Sequence, residues 1–266
     1  MLPMKCESTI QHSQIVKFFF KIATATLFGL MATCVIPLIV HAQMFSVGNQ
    51  GQRFNTPQTE LYFGVEPLDV TYRGGNNLGP QRQGGAFAFN GSILRLGYRS
   101  EGLDLFLGTG GQITGISDVS YFDIGGNIDI GLTLQHSKRF LIQIPIRISS
   151  RYTNMTNDQN ISSRFNRFKF GSLTGGAGLH VMARPSDNVR IEVSGVPSYG
   201  AAFASGGFFG GSVALFVAEG RVYFDRLFGN LGLSVGYKYD YRNYDVDENI
   251  YDYKMSGNNI EVGVTF

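Results

Sequence analysis

Two long alternating runs meet at a short polar turn between residues 122 and 152. In residues 122–135, apolar side chains take every second position and polar or small residues fill the gaps, and residues 140–151 repeat the pattern. Successive side chains of a strand point to opposite faces, so each run predicts a strand with one apolar face and one polar face. Each run is about 13 residues long, which exceeds the usual strand and suits a transmembrane β-strand. Pro145 is the weak point of the second run, because it cannot donate a ladder hydrogen bond.

The rest of the chain continues in the same manner. Alternation and turn residues predict an all-β fold, an antiparallel up-and-down transmembrane β-barrel of about ten strands, with eight or twelve as alternatives. The first strand is the least secure, because Pro67 interrupts it. The predicted strands cover residues 60–73, 86–99, 103–112, 120–136, 140–153, 167–184, 188–196, 212–225, 230–242 and 251–266.

The predicted connections alternate in length. Short connections fall near residues 100–102, 137–139, 185–187 and 226–229, and longer ones fall between them, at 74–85, 113–119, 154–166, 197–211 and 243–250. Outer-membrane barrels have short periplasmic turns and longer extracellular loops. An even number of strands would also return both termini to the periplasm.

The first 58 residues differ from this pattern. Residues 22–40 are apolar, follow Lys17 and Lys21, and lead into Val40-His41-Ala42. This order predicts a signal peptide over residues 1–42, with an uncleaved anchor as the alternative. Residues 43–58 show no period and are expected to form a periplasmic tail, which leaves residues 59–266 for the barrel.

Composition excludes several classes of protein. The formal charge of the chain is +2, and the leader holds three Lys and one Glu, so 19 of the 22 basic and 19 of the 20 acidic residues remain without it. This balance argues against nucleic-acid binding. Both cysteines, Cys6 and Cys34, lie in the leader, so a mature chain would have no disulfide, thiolate nucleophile or cysteine metal site.

Alternation alone does not decide which face meets lipid, because a soluble barrel would turn its apolar face inward. The chain end is more specific: Ile260, Val262, Val264 and the terminal Phe266 alternate with polar or small residues. In this respect the chain resembles the Gram-negative outer-membrane β-barrel superfamily, whose members commonly end in an alternating strand closed by Phe. The resemblance implies an outer-membrane location, contact with outer-membrane lipid and lipopolysaccharide, and a role for this strand as a signal to the barrel assembly machinery.

The polar faces of the strands supply candidate lumen residues of both signs. If the hairpin pivots on Lys138, Asp129 lies opposite Arg147 and Asp123 opposite Thr153. Such a pair could act as a gate or selectivity element in a pore, or it could belong to a polar core that plugs the barrel. The predicted lumen charge network comprises Arg95, Asp129, Arg147, Arg151, Glu192, Glu219, Arg221, Lys238, Asp240 and Glu261.

Other chemistry has little support in the sequence. His180 is predicted to face the lumen near a periplasmic turn, without a recognisable nucleophile, base and orienting group. The glycine clusters lack the spacing of phosphate-binding loops, and the acidic residues 243–252 lack EF-hand spacing, so no cofactor or metal is expected. Residues 154–170 form a basic, aromatic segment that fits either a lipopolysaccharide contact or an ordinary solvated rim.

The expected function is therefore that of an outer-membrane barrel with a polar, largely plugged lumen and a structural, adhesive or surface-interaction role. A narrow pore or transporter for small solutes is one alternative, and an outer-membrane enzyme, such as a hydrolase at the barrel rim, is another.

Overall fold

The computed structural model describes residues 59–72, 89–111, 119–157, 167–204, 210–246 and 252–266. The proposed signal peptide and tail, residues 1–58, lie outside the described residues. The strands are β1 Glu60–Tyr72, β2 Phe89–Ser100, β3 Leu103–Gly111, β4 Val119–His136, β5 Phe140–Asn157, β6 Arg167–Ala177, β7 Leu179–Ser186, β8 Val189–Ala204, β9 Gly211–Phe228, β10 Leu231–Val246 and β11 Tyr253–Thr265.

The strands close into a barrel with ten positions in its wall. Each strand pairs antiparallel with its neighbours. The first and last strands, β1 and β11, pair from Glu60↔Thr265 at one end to Tyr72↔Tyr253 at the other, which closes the barrel. Strands β6 and β7 share one position, because both pair with β5 on one side and β8 on the other. The predicted antiparallel barrel of about ten strands is confirmed.

The break between β6 and β7 lies at Gly178, opposite Pro145. The Gly178 N–H donates to the Pro145 carbonyl at 3.1 Å, but Pro145 has no N–H with which to return a hydrogen bond. The ladder is therefore interrupted where the sequence predicted the weakest point of β5.

The stagger of the barrel can be read from its register. We followed the paired residues from strand to strand around the wall, starting from Glu60 and its partner Arg99. The path returns to β1 at Tyr72, which lies 12 residues beyond Glu60, so the shear number of the barrel is 12. Ten strands with this shear correspond to strands tilted by about 40° from the barrel axis.

The apolar faces of the strands point outward. Ile130 on β4 is 52% exposed and Ile260 on β11 is 61% exposed, whereas Asp123 and Arg151 are buried inside. Tyr98, Phe224 and Tyr237 are also exposed on the outer face. An exterior of this kind is stable in contact with lipid, so the chain folds as a membrane-spanning barrel. Among the described residues, no helix is long and apolar enough to cross a membrane.

Several predicted strand ends fall too early. β5 continues to Asn157 and β9 to Phe228, into the predicted connections 154–166 and 226–229. Residues 197–204 belong to β8 and not to the predicted loop 197–211, because they pair with β6 and β9. β10 likewise continues to Val246, into the predicted loop 243–250. The hairpin register also shifts by one residue between Thr133 and Gln135, close to the turn.

Gly97 lies on the inner face, where its lack of a side chain leaves room for the ring of Tyr62. It pairs with Tyr62, and a Cβ at Gly97 would overlap the Tyr62 ring. We expect Gly97→Ala to lower the free energy of unfolding by about 1–3 kcal/mol, because overpacking displaces a buried ring. Urea unfolding in detergent would measure the change. Gly220→Ala is the matched control, because no atom lies within 4 Å of a Cβ built there; equal effects of the two changes would contradict the packing argument.

Candidate functional site: the barrel lumen

The lumen is apolar at the end of the barrel that carries the long connections. Phe170 packs against Tyr244 and Tyr253 with ring centroids 5.1 and 5.2 Å apart. We call this group the apolar cap, and its buried members are Leu68, Val70, Phe89, Ile93, Val119, Tyr121, Met155, Phe170, Ala202, Val213, Tyr244, Val246, Tyr253 and Met255. The expectation of a polar lumen throughout is therefore wrong at this end. Phe170 belongs to the segment 154–170 that was predicted as a lipopolysaccharide contact or a solvated rim, but it is 1% exposed and faces inward.

Beneath the apolar cap lies a group of ionised side chains that we call the Asp123 cluster: Glu66, Arg95, Asp123, Arg151, Asp240 and Arg242. Asp123 is 0% exposed and accepts hydrogen bonds from Arg151 Nε at 2.8 and 3.0 Å, Tyr121 at 3.3 Å and Thr153 at 3.3 Å. Arg95 bonds Glu66 and reaches Asp123 at 3.4 Å. Each buried charge thus has an opposite charge beside it, which offsets desolvation.

Asp240 and Arg242 join this cluster from β10. Arg151 Nη1 donates to Asp240, and Arg242 Nε lies 3.4 Å from Asp240 Oδ1. Arg242 is fully buried, yet its three guanidinium nitrogens have no hydrogen-bond partner among the described residues.

A second group, the Glu261 cluster, lies nearer the short turns and comprises Glu60, Arg99, Asp104, Glu219, Arg221, Lys238 and Glu261. Arg221 bonds Glu261, contacts Glu219 at 3.0 Å and donates to Glu60 at 2.7 Å. Arg99 lies 3.0 Å from both Glu60 and Glu219. These contacts join β1, β2, β9 and β11 across the interior.

Asp129 and Arg147 form a bidentate pair, as the predicted register requires. Arg147 Nε and Nη2 donate to the two carboxylate oxygens of Asp129 at 2.7 and 2.6 Å. This parallel arrangement is the strong geometry for an arginine and a carboxylate.

The lumen mouth at the short-turn end holds Glu192, with Arg190 bonded to it. His180 lies beside this pair, with Nδ1 at 3.3 Å from Gln143 and Nε2 at 3.8 Å from Glu192. Ser194 is the cross-strand neighbour of His180, but no hydrogen bond joins the Ser194 hydroxyl to the imidazole in the described residues. A nucleophile and its base need that contact, so the arrangement does not form a triad.

All ten predicted lumen residues thus lie on the inner face, divided among two clusters, the Asp129–Arg147 pair and the mouth. The predicted network omits six members of the two clusters: Glu60, Glu66, Arg99, Asp104, Asp123 and Arg242. Of these, Glu60 and Glu66 anchor arginines in both clusters. Glu60 and Glu66 lie two and four residues from Tyr62, and this even spacing indicates that all three share one face of β1. The signal was not used, because Pro67 weakened the prediction of that strand. Pro67 in fact lies on the exposed outer face.

Little space remains inside. A cavity of about 20 Å³ lies against Phe106, Arg147, Arg151 and Lys238. This is room for about one water molecule. Within the described ranges, no group of three His, Cys, Asp or Glu residues is arranged to hold a metal ion.

The residues of the predicted assembly signal lie on the outer face of β11. Ile260, Val262, Val264 and Phe266 are all exposed, and the Phe266 N–H donates to the Thr59 carbonyl at 3.0 Å. The chain end is therefore joined to β1 while its side chain faces outward.

No family model matches the chain, and no curated protein matches it. Among solved structures, Neisserial surface protein A is similar at 14% identity, over 79% of this chain and 97% of that one, with a TM-score of 0.34. The outer membrane protease OmpT from Escherichia coli is similar at 9% identity, over 82% and 99%, with a TM-score of 0.39. The toluene transporter TodX from Pseudomonas putida is similar at 11% identity, over 79% and 89%, with a TM-score of 0.26. A surface protein, a protease and a transporter differ in role, so these similarities do not select a function.

Proposed function

We propose that the chain is an integral outer-membrane barrel with a plugged lumen and a structural, adhesive or surface-interaction role. The observation that supports this proposal is the filling of the lumen by the apolar cap and the two ionic clusters. A barrel filled in this way offers its outer wall and its long connections for contact with lipid, lipopolysaccharide or an extracellular ligand. Both termini would then lie in the periplasm, and His180 would have no catalytic role.

Conductance of single molecules in planar bilayers tests the plugged lumen. We expect no resolved ion-conducting steps from the purified protein, because the apolar cap leaves ions no polar path. An open β-barrel porin in the same bilayer is the positive control. Conducting steps that change in size with Arg147→Ala would contradict the proposal.

A narrow pore is the second candidate, and the cavity beside Arg147 favours it. In a pore, the Asp129–Arg147 pair would be the gate or selectivity element, and the apolar cap would have to move. Conductance that depends on Arg147 would therefore support this candidate directly.

The terminal Phe266 gives a prediction about assembly. We expect deletion of Phe266 to lower the yield of folded protein in the outer membrane, while the barrels that do form keep their stability. The physical reason is that the side chain is exposed on the wall and contributes little to packing, so its role would lie in recognition by the assembly machinery. Outer-membrane fractionation with heat-modifiable migration on unboiled gels measures both quantities. Leu227→Ala, which removes another exposed side chain, is the control and is expected to leave the yield unchanged. If deletion of Phe266 also left the yield unchanged, the proposed role of Phe266 in assembly would be contradicted.

A further inference from the structure

The outer wall has a recess across β6, β8 and β9, where the outward-facing residues are small. We call it the wall hollow, and its members are Gly175, Ala177, Gly195, Ala218 and Gly220. No atom lies within 4 Å of a Cβ built at Gly195 or at Gly220, so the space above them is open. At the same level on β3 and β5, the outer face carries the exposed side chains of Leu105 and Ile148.

A row of tyrosines on β10 borders the wall hollow. Tyr237 pairs with Gly220, and Tyr239 pairs with Ala218. The Tyr237 side chain is 49% exposed, so its ring projects from the wall beside residues that have little or no side chain. Projecting rings and a recess therefore lie on neighbouring strands at nearly the same level of the barrel.

Two hydrogen-bonding groups flank this surface and lack partners. Asn258 is exposed on β11, where its Oδ1 accepts a hydrogen bond from the Tyr237 hydroxyl at 2.6 Å; within the described ranges, its Nδ2 has no acceptor. Tyr199 on β8 is 64% exposed, and among the described residues its hydroxyl has no hydrogen-bond partner. Hydrocarbon supplies neither a donor nor an acceptor, so these groups favour a protein partner over a lipid tail.

Asn258 and Tyr199 lie at the same level of the barrel. Paired residues lead from Asn258 to Gly195 on β8 in three steps. The shear of 12 residues over ten strands gives 12/10 = 1.2 residues per step, or about 3.6 residues over three steps. Tyr199, four residues beyond Gly195, therefore matches Asn258. Leu107 and Ile124 occupy this level on β3 and β4, so it lies within the apolar belt.

We propose that the chain forms a twofold homodimer in the membrane through the outer faces of β8, β9 and β10. A closed twofold dimer needs a surface that is complementary to itself. A twofold axis parallel to the barrel axis, between β9 and β10, places β10 of each copy against β9 of the other. Tyr237 and Tyr239 of each copy then fill the wall hollow of the other.

The same axis explains the two unpaired polar groups. It places β11 of each copy against β8 of the other, so Asn258 meets Tyr199 and the amide–hydroxyl hydrogen bond forms twice. A lipid tail could fill the wall hollow but would leave both groups unbonded. The inference concerns the outer wall alone, so it holds whether or not the lumen conducts ions.

Disulfide crosslinking in outer membranes tests the contact. Cys6 and Cys34 are replaced by serine, and Ala218→Cys then supplies one thiol beside the twofold axis. Oxidation is expected to convert most chains to dimers on non-reducing gels. Leu105→Cys is the matched control, because Leu105 is exposed at the same level on the opposite side of the barrel, and little crosslinking is expected there. Equal crosslinking of the two variants would overturn the proposal.

The association constant in vesicles, measured by energy transfer between labelled copies, tests the hydrogen bond. Tyr199→Phe removes only the hydroxyl and is expected to lower the association constant by roughly tenfold, because a bond made twice is lost. In an Asn258→Leu background, the same change is expected to have no further effect, since the two residues share one contact. Tyr152→Phe, at an exposed tyrosine on β5, is the control and is expected to have no effect. An unchanged association constant for Tyr199→Phe would contradict the dimer.

Native mass spectrometry of the protein released from nanodiscs identifies what fills the wall hollow. The unaltered protein is expected to be a dimer, and Gly220→Phe a monomer, because the new ring occupies the space that receives Tyr237. Heat-modifiable migration checks that the variant folds, and the crosslinking and Tyr199→Phe experiments decide the matter if it does not. A monomer carrying one lipid that Gly220→Phe displaces would show that a lipid fills the wall hollow and would overturn the proposal.

Discussion

Asp123→Asn is expected to lower the free energy of unfolding by about 3–5 kcal/mol, because it removes one partner of a buried ionic cluster. The amide keeps the shape of the side chain but not its charge, so Arg151 loses its bidentate acceptor and Arg95 loses one of its two carboxylates. Neither guanidinium can lose its proton, so both would remain charged inside the barrel. Urea unfolding of the protein in detergent, followed by heat-modifiable migration, measures the loss.

Asp69→Asn is the matched control, since Asp69 is exposed on the outer face of β1. Substitution of an exposed carboxylate is expected to change stability by less than about 0.5 kcal/mol. If the Asp123 and Asp69 variants were equally stable, the Asp123 cluster would have to be hydrated and its charges screened by water.

Phe170→Ala is expected to lower the free energy of unfolding by about 3–5 kcal/mol as well, through a different mechanism. The Phe170 ring is 1% exposed and contacts two tyrosine rings of the apolar cap. Its removal leaves a cavity that the surrounding strands cannot close, because each is held in register on both sides.

Phe216→Ala tests the same change on the outer face, where Phe216 is exposed. Detergent replaces the lost contacts there, so the effect on the urea midpoint is expected to be much smaller. A larger loss at Phe216 than at Phe170 would mean that the interior of the barrel contributes little to stability.

Much of the wall could be predicted from sequence, because alternation is a local property of each strand. The run 122–135 already fixed which side chains share a face, and pivoting the hairpin on Lys138 placed Asp129 against Arg147. The orientation of the faces needed further signals, the lengths of the connections and the alternating chain end, because alternation is the same for a barrel in lipid and one in water.

The apolar cap could not be predicted in this way. Leu68 and Val70 share the inner face of β1 with Glu60 and Glu66, so the face changes from charged to apolar along one strand. Such a change indicates an apolar layer in the lumen only when the inner faces of the neighbouring strands change at the same level along the barrel axis. That level depends on the shear of the whole barrel. In the sequence of a single strand, the apolar layer is visible only as a few apolar residues at the strand end, which do not differ from the residues that begin a loop.

The pairing of β1 with β11 has a consequence for how the chain reaches its native state. The Glu60 carboxylate contacts Arg221, which is 161 residues away, and Ser234, which is 174 residues away. Contacts between such distant residues give a high contact order and slow folding. The seam forms only when β11 pairs with β1, so a chain in which these two strands have not yet met carries two unpaired strand edges. Such edges recruit other strands, and for this reason the unfolded chain depends on protection from aggregation until β1 and β11 pair.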